Sequence, residues 1–100
     1  MAGRKEERVF TDLRVAFAHG EGVARNVSAS GIYFVTASAF QEGQAVELHI
    51  EFPEFPGGGL EVTCYGRVVR IAQEGRARGV GATISSFEFR RIATSGRQDD

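Results

Sequence analysis

Two arginines near the N-terminus are the first side chains whose type and spacing could do chemistry. Arg4 and Arg8 are separated by three residues, and Lys5 lies beside Arg4. A four-residue spacing places both arginines on the same side of the segment, whether it is helical or extended. Two guanidinium groups on one side can hold a ligand with two anionic groups, or grip a phosphate while stacking on a base. The pair therefore predicts an anion-binding function.

A second group of polar residues lies at positions 26–31, which read Asn-Val-Ser-Ala-Ser-Gly. Asn and Ser side chains bond nearby backbone groups and shape turns. Gly31 is able to take a positive φ or to let a ligand approach the backbone closely. If Asn26 and Ser28 faced outward, they could instead meet the edge of a guanine or a phosphate oxygen. The residues alone leave a plain strand connection and a ligand site both open.

Other reactive side chains do not converge on a site. His19 and His49 fall on different predicted strands, without the Cys or carboxylate cluster that a zinc site needs. Cys64 shares the apolar alternation of its strand, which predicts a buried and unreactive thiol. The three glycines at positions 57–59 lack the Lys and Ser/Thr that follow in a phosphate-binding loop. We therefore expect no metal, no catalytic residue and no enzyme activity.

Composition limits the class of protein. The chain has 100 residues, of which 42% are hydrophobic, and a formal net charge of −1. This is enough apolar material for one small core, and it excludes a long disordered chain. No apolar run approaches the roughly 20 residues of a membrane-spanning helix, and no apolar stretch follows the charged N-terminus, so we expect neither a membrane span nor a signal peptide. The single cysteine fits a reducing compartment, so we expect a cytoplasmic protein without membrane insertion.

The elements that must position these residues read as short strands. Residues 45–52 alternate apolar and polar side chains, which predicts a strand with one buried face. Further strands are predicted at 13–18, 23–26, 32–36, 60–71 and 79–84, with a turn at 20–22, a polar connecting loop at 74–78 and one helical turn at 37–41. Six strands without intervening helices predict an all-β fold, a six-stranded antiparallel β-barrel with little or no C-terminal helix. Phe87 and Phe89 are expected to pack on one end of this barrel.

In this order, and ahead of this strand pattern, the two motifs resemble the signature of the PilZ domain family. That family is a bacterial receptor for the second messenger cyclic di-GMP, built as a small six-stranded β-barrel. Its signature joins R-x-x-x-R on an N-terminal arm to D/N-x-S-x-x-G on the barrel. The glycine-led segments 43–48, 66–70 and 79–84 look similar to strands of the family as well, and the resemblance covers about residues 4–89.

The resemblance implies a role for each matching position. The implied ligand-binding residues are Arg4, Lys5, Arg8, Asn26, Ser28 and Gly31. The arginines would clamp the nucleotide, Asn26 and Ser28 would contact a guanine and its neighbouring phosphate or sugar, and the glycine would provide backbone geometry. The implied organisation is a flexible arm at 1–8, a barrel at 9–92 and a disordered tail at 93–100. Because a lysine stands where the family often has a second arginine, one bound ligand and a stacked pair both remain open.

The resemblance therefore implies a cyclic di-GMP receptor or adaptor that orders its arm on binding and signals through a partner protein. No cofactor is expected besides this ligand. The alternative is a PilZ-like adaptor that binds protein and no nucleotide. A third interpretation is a barrel that binds single-stranded nucleic acid through aromatic platforms and basic grooves. The aromatic residues mostly occupy inward positions and the net charge is negative, so we expect no DNA or RNA partner.

Overall fold

The computed structural model describes residues 9–52 and 59–92, which form six β-strands. The strands are β1 (Val9–Phe17), β2 (Gly20–Val27), β3 (Gly31–Thr36), β4 (Ala45–Phe52), β5 (Gly59–Glu74) and β6 (Ala77–Ile92). They close into a barrel in the order β1-β2-β3-β6-β5-β4, with every neighbouring pair antiparallel. The predicted fold class is confirmed. In these two ranges no helix is long and apolar enough to cross a membrane. The predicted arm and tail lie outside the described residues.

The β1–β2 and β3–β4 connections differ from the prediction. The first turn comprises Ala18 and His19, not residues 20–22, because those glycine-containing residues already pair within the sheet. A Cβ on Gly22 would lie 2.5 Å from the carbonyl oxygen of Val35, so this glycine permits close strand contact. The helical turn predicted at 37–41 is absent from the described connection, where the buried ring of Phe40 packs into the barrel instead.

The β5–β6 hairpin is longer at both ends than the alternation of apolar residues predicts. The polar segment 74–78, interpreted as a loop, is a tight turn in which Glu74 pairs with Ala77 and Gly75 adopts a φ of 61°. β6 then continues past the predicted end at residue 84 to Ile92. A backbone ladder does not depend on side-chain polarity, so the polar ends of a hairpin remain paired after the hydrophobic pattern has stopped.

The core consists of the inward side chains of all six strands. Its largest fully buried members are Phe34, Leu48, Ile50, Val15, Val68 and Val80. Burying a side chain of this size contributes about 1.5–3 kcal/mol relative to exposure. Phe17 and Phe40 close one end of the barrel with ring centroids 5.0 Å apart. At the other end Phe87 and Phe89 line a groove but stay 42% and 62% exposed, so the predicted packing is only partial.

β-Bulges interrupt the register in three strand pairs: β1–β2, β2–β3 and β5–β6. A β-bulge inserts an extra residue, bends the strand and increases its local twist, which a small closed barrel requires. Gly66 lies at one of the two shifts in β5–β6, and a Cβ at this position would come within 1.6 Å of the carbonyl oxygen of Thr83. The barrel therefore depends on a glycine at this bend.

We predict that Gly66→Ala destabilises the barrel. The added methyl group overlaps backbone, which cannot move aside like a flexible side chain, so the free energy of unfolding should fall by roughly 1–3 kcal/mol. Gly81→Ala on β6 is the matched control, because the nearest atom to its Cβ is 3.8 Å away. Urea unfolding followed by circular dichroism measures both variants. Equal losses in the two variants would contradict the prediction.

Candidate functional site

The segment 26–31 forms the connection between β2 and β3. The backbone N–H of Ser28 donates to the carbonyl oxygen of Gly31 at 2.8 Å, and the Ser28 hydroxyl donates to the same oxygen at 3.4 Å. Ser28 is 8% exposed. Its side chain therefore helps to hold the turn, as expected if this motif is a strand connection. The hydroxyl oxygen retains acceptor capacity, and its contact with a ligand remains a prediction.

The backbone of Gly31 does not use the conformational freedom of glycine. Among the described residues, positive φ angles occur at Gly20, Gly43 and Gly75, and not at Gly31. The nearest atom to a Cβ built on Gly31 is the carbonyl oxygen of Ala82 at 3.4 Å, which is close to ordinary contact. Of the two possible reasons for a glycine at this position, a positive φ does not apply. The close approach of a ligand to this backbone remains a prediction.

A β-bulge orients Asn26. Ala24 pairs with Phe34, whereas Asn26 pairs with Tyr33, so Arg25 is an extra residue opposite no partner on β3. Ala24 is fully buried, and strict alternation would turn Asn26 inward as well. Because the bulge resets the alternation, Asn26 lies on the outward face opposite Tyr33. The side chain of Arg25 is also exposed, and its Nε lies 3.8 Å from Asp12 Oδ1.

The N-terminal arm carries Arg4, Lys5 and Arg8, which lie outside the described residues. The position at which the arm joins the barrel is described: β1 begins at Val9, which pairs with Val27 at the end of β2. Residue 8 therefore precedes a strand position directly opposite the start of the 26–31 turn. The described chain therefore enters the barrel at the end of the β1–β2 ladder where the 26–31 turn begins.

Arg25, Asn26, Tyr33, Arg70 and Glu74 form an outward-facing cluster beside this junction, here called the Tyr33 surface. The Tyr33 hydroxyl donates to Glu74, and the Arg70 guanidinium carbon lies 5.9 Å from the centroid of the Tyr33 ring, a cation–π distance. A Cβ on Gly79 would overlap the Tyr33 hydroxyl, so this glycine makes the position of the ring possible.

The hydrogen bond to Glu74 raises the pKa of Tyr33 above its ordinary value, and partial burial and the negative charge of Glu74 act in the same direction. The positive charges of Arg70 and Arg25 oppose this effect. Tyr33 is therefore a neutral hydrogen-bonded phenol at physiological pH. The surface presents one flat ring, an amide and two guanidinium groups, a combination suited to aromatic and anionic groups.

The sequence prediction did not include Arg25, Tyr33 or Arg70 among the site residues. For Tyr33 the sequence carried a signal. This residue lies between two apolar residues, Ile32 and Phe34, which are buried, so the alternation of β3 predicts that its side chain faces outward. Arg25 is the extra residue of the β2–β3 bulge, and Arg70 directly follows a bulge in β5–β6. No pattern of polarity marks a bulge, so their placement beside Asn26 comes only from the register.

The predicted burial of Cys64 is confirmed, and the two histidines contact neighbouring polar groups. Cys64 is 3% exposed, and burial raises the pKa of its thiol, which opposes thiolate formation. His49 lies on the outward face, with Nε2 3.0 Å from Glu47 Oε2 and Nδ1 3.0 Å from the Thr63 hydroxyl. His19 Nε2 lies 3.1 Å from the carbonyl oxygen of Ala39. Residues 9–52 and 59–92 contain no group of three potential metal-binding side chains.

Comparison with known proteins matches the family model of the PilZ domain to residues 3–99. Among solved structures, the Bacillus subtilis inhibitor of motility (MotI/DgrA) is similar to this chain, with a TM-score of 0.72 and 26% sequence identity. The similarity covers 88% of this chain and 44% of that one, so the chain spans less than half the length of that protein. A comparison with curated proteins found no match.

We predict that Glu74 controls the titration of Tyr33. The chain has two tyrosines, so Tyr65→Phe leaves Tyr33 as the only phenol. In the Tyr65→Phe chain the titration midpoint of the Tyr33 hydroxyl should lie above the ordinary tyrosine pKa. Glu74→Ala should lower this midpoint, because it removes both the hydrogen bond and the negative charge. Ultraviolet absorbance of the phenolate measures the midpoint. Glu88→Ala is the control and should leave it unchanged, whereas an ordinary pKa before the Glu74 substitution would contradict the geometry.

Proposed function

The chain belongs to the PilZ domain family, and on that premise we propose that it is a cyclic di-GMP receptor that signals through a partner protein. PilZ domains are generally receptors or adaptors for this nucleotide. The observation that carries the proposal is the pairing of Val9 with Val27. It supports a site in which the arm arginines and the 26–31 turn act on one ligand molecule.

The chemistry of the ligand fits the groups that surround this junction. Cyclic di-GMP has two phosphates and two guanine bases. Arg4 and Arg8 would grip phosphate oxygens and stack on guanine, while Asn26 would bond a guanine edge from the barrel. Each well-made charge-assisted hydrogen bond contributes roughly 1.5–3 kcal/mol. Arg70 and Tyr33 extend the same surface and would hold a base or a second phosphate.

Ligand binding would order the arm across the barrel. All five residues at 4–8 are charged, three basic and two acidic, so the arm has little apolar surface with which to pack by itself. Ordering it costs conformational entropy, which the nucleotide contacts must offset. The resulting disorder-to-order transition would present a new surface to a partner protein. The similar Bacillus subtilis protein is named as an inhibitor of motility, which supports an output through another protein.

One observation favours the alternative, an adaptor that binds protein without nucleotide. Ser28 is buried, and its hydroxyl donates within the turn, so this residue has a structural reason to be present. Ser28→Ala distinguishes the structural role of this residue in the turn from its proposed contact with the nucleotide. The backbone hydrogen bond from Ser28 to Gly31 survives the substitution, so the fold should persist. The affinity for cyclic di-GMP should fall if the Ser28 hydroxyl contacts the nucleotide.

We predict that isothermal titration calorimetry detects cyclic di-GMP binding near micromolar affinity, about −8 kcal/mol. Arg8→Ala and Asn26→Ala should each weaken binding at least about tenfold, because each removes a nucleotide contact. Arg76→Ala is the matched control, since this exposed arginine lies in the β5–β6 turn at the opposite end of the sheet from the 26–31 turn. The stoichiometry distinguishes one ligand from a stacked pair. Absence of heat at several temperatures, with a folded protein, would favour the alternative adaptor.

We also predict that the nucleotide protects the arm from trypsin. Trypsin cleaves after Lys and Arg, and Arg4, Lys5 and Arg8 are its sites in the arm. Saturating cyclic di-GMP should slow cleavage there, as measured by mass spectrometry, and leave cleavage at Arg76 unchanged. Binding without protection would mean that the arm does not close over the ligand. Deletion of residues 1–8 with unchanged affinity would contradict the arm mechanism outright.

A further inference from the structure

The second half of β6 has a strand edge that no strand in residues 9–52 and 59–92 pairs with. β6 pairs with β3 only from Arg78 to Thr83, and the Ile84 N–H then donates to the carbonyl oxygen of Ser30 at 2.9 Å. Residues 86–92 pair with β5 on the opposite side. Such an edge presents main-chain donors and acceptors in a row, which is a template for pairing with another chain.

The same segment exposes aromatic surface. Phe87 and Phe89 are 42% and 62% exposed, and their rings contact each other edge to face with centroids 5.2 Å apart. In the ladder they lie opposite Cys64 and Val62, so they continue the inward face beyond the closed part of the barrel. They line an apolar groove of about 160 Å³ at this end. An unpaired edge with adjacent exposed rings is typical of an interaction surface.

The charged side chains along this edge are complementary to the same side chains in an antiparallel second copy. Glu88 and Arg90 are two residues apart, so both lie on the face opposite to Phe87 and Phe89. In an antiparallel pair of identical strands with the two-fold axis at Phe89, Glu88 of each copy faces Arg90 of the other. Two opposite-charge pairs stabilise this register, and the two Phe89 rings meet at the axis. With the axis at Glu88, the two glutamates would face each other, which is unfavourable.

We propose that the chain forms a symmetric dimer in which the β6 edges of two copies pair antiparallel across Phe89. A second copy fits this edge better than an unrelated strand, because an antiparallel copy of the same segment places its Arg90 opposite Glu88 and its Glu88 opposite Arg90. Arg90 already contacts Glu61 within its own chain, and its five N–H donors allow it to bridge Glu61 and a second carboxylate. The proposal goes beyond nucleotide binding, since the ligand-binding set contains no residue of the paired segment.

Sedimentation equilibrium of the full chain, without nucleotide, tests the charge pairs. We expect a concentration-dependent dimer. Glu88→Arg and Arg90→Glu should each raise the dimer dissociation constant about tenfold or more, because each places like charges opposite one another. An equimolar mixture of the two variants should form the heterodimer, because its cross-strand pairs are again of opposite sign. A chain that is monomeric at all concentrations, or a dimer indifferent to both substitutions, would overturn the proposal.

Cysteine cross-linking tests the register independently. In Phe89→Cys the two new thiols lie on the axis, where opposite Cα atoms are about 4.5–5.5 Å apart, within the range of a disulfide. Mild oxidation should therefore trap a covalent dimer. Phe87→Cys is the matched control, because its copies are offset by four residues, about 13 Å along the strand. Both substitutions are made in a Cys64→Ala chain, which also gives the background, because position 87 lies opposite Cys64 in the β5–β6 ladder and could otherwise cross-link within one chain. Equal cross-linking at both positions would exclude this register.

Discussion

Closure of a short chain into a barrel is the constraint on which the rest of the structure depends. Six strands must bury one small core and also bend enough for β1 to meet β4, which it does through only two residue pairs, Val15 with Ile50 and Ala16 with His49. Bulges and a crowded glycine at position 66 provide that bending. Each bulge also changes which side chains face outward, so the means of closure and the composition of the surface cannot be separated.

The candidate site shows this connection directly. The bulge at Arg25 serves the curvature of the β2–β3 pair, and it also turns Asn26 to the surface opposite Tyr33. The start of β1 pairs with the end of β2, so the described chain begins beside the 26–31 turn. A rigid scaffold thereby holds the amide, the aromatic ring and Arg70, while the proposed contribution of the arm is added on binding. This division would suit the proposed sensor, because a ligand would order one segment and leave the core unchanged.

β6 differs from the other strands because part of it lies outside the closed barrel. It extends past the point at which β3 can pair with it, so the hairpin with β5 continues outside the closed part of the barrel. Edge strands are normally shielded by charge, bulges or covering segments. Here the polar face carries Glu88 and Arg90, which lower the tendency to pair with arbitrary strands, while Phe87 and Phe89 provide apolar area for a matching one. The proposed specific pairing and the protection from non-specific pairing thus involve the same four positions.

The all-β class, the six strands, the inward residues of β4 and the two motifs followed from the sequence alone, because a period of two and the residue types of a motif are local properties. The β5–β6 turn and the β6 end were misjudged, because backbone pairing continues where hydrophobic alternation stops. The outward position of Asn26 and the assembly of Arg25, Tyr33 and Arg70 were decided only by the tertiary structure. They depend on cross-strand register and on bulges, which arise from closing the sheet around its core and leave no local signature in the chain.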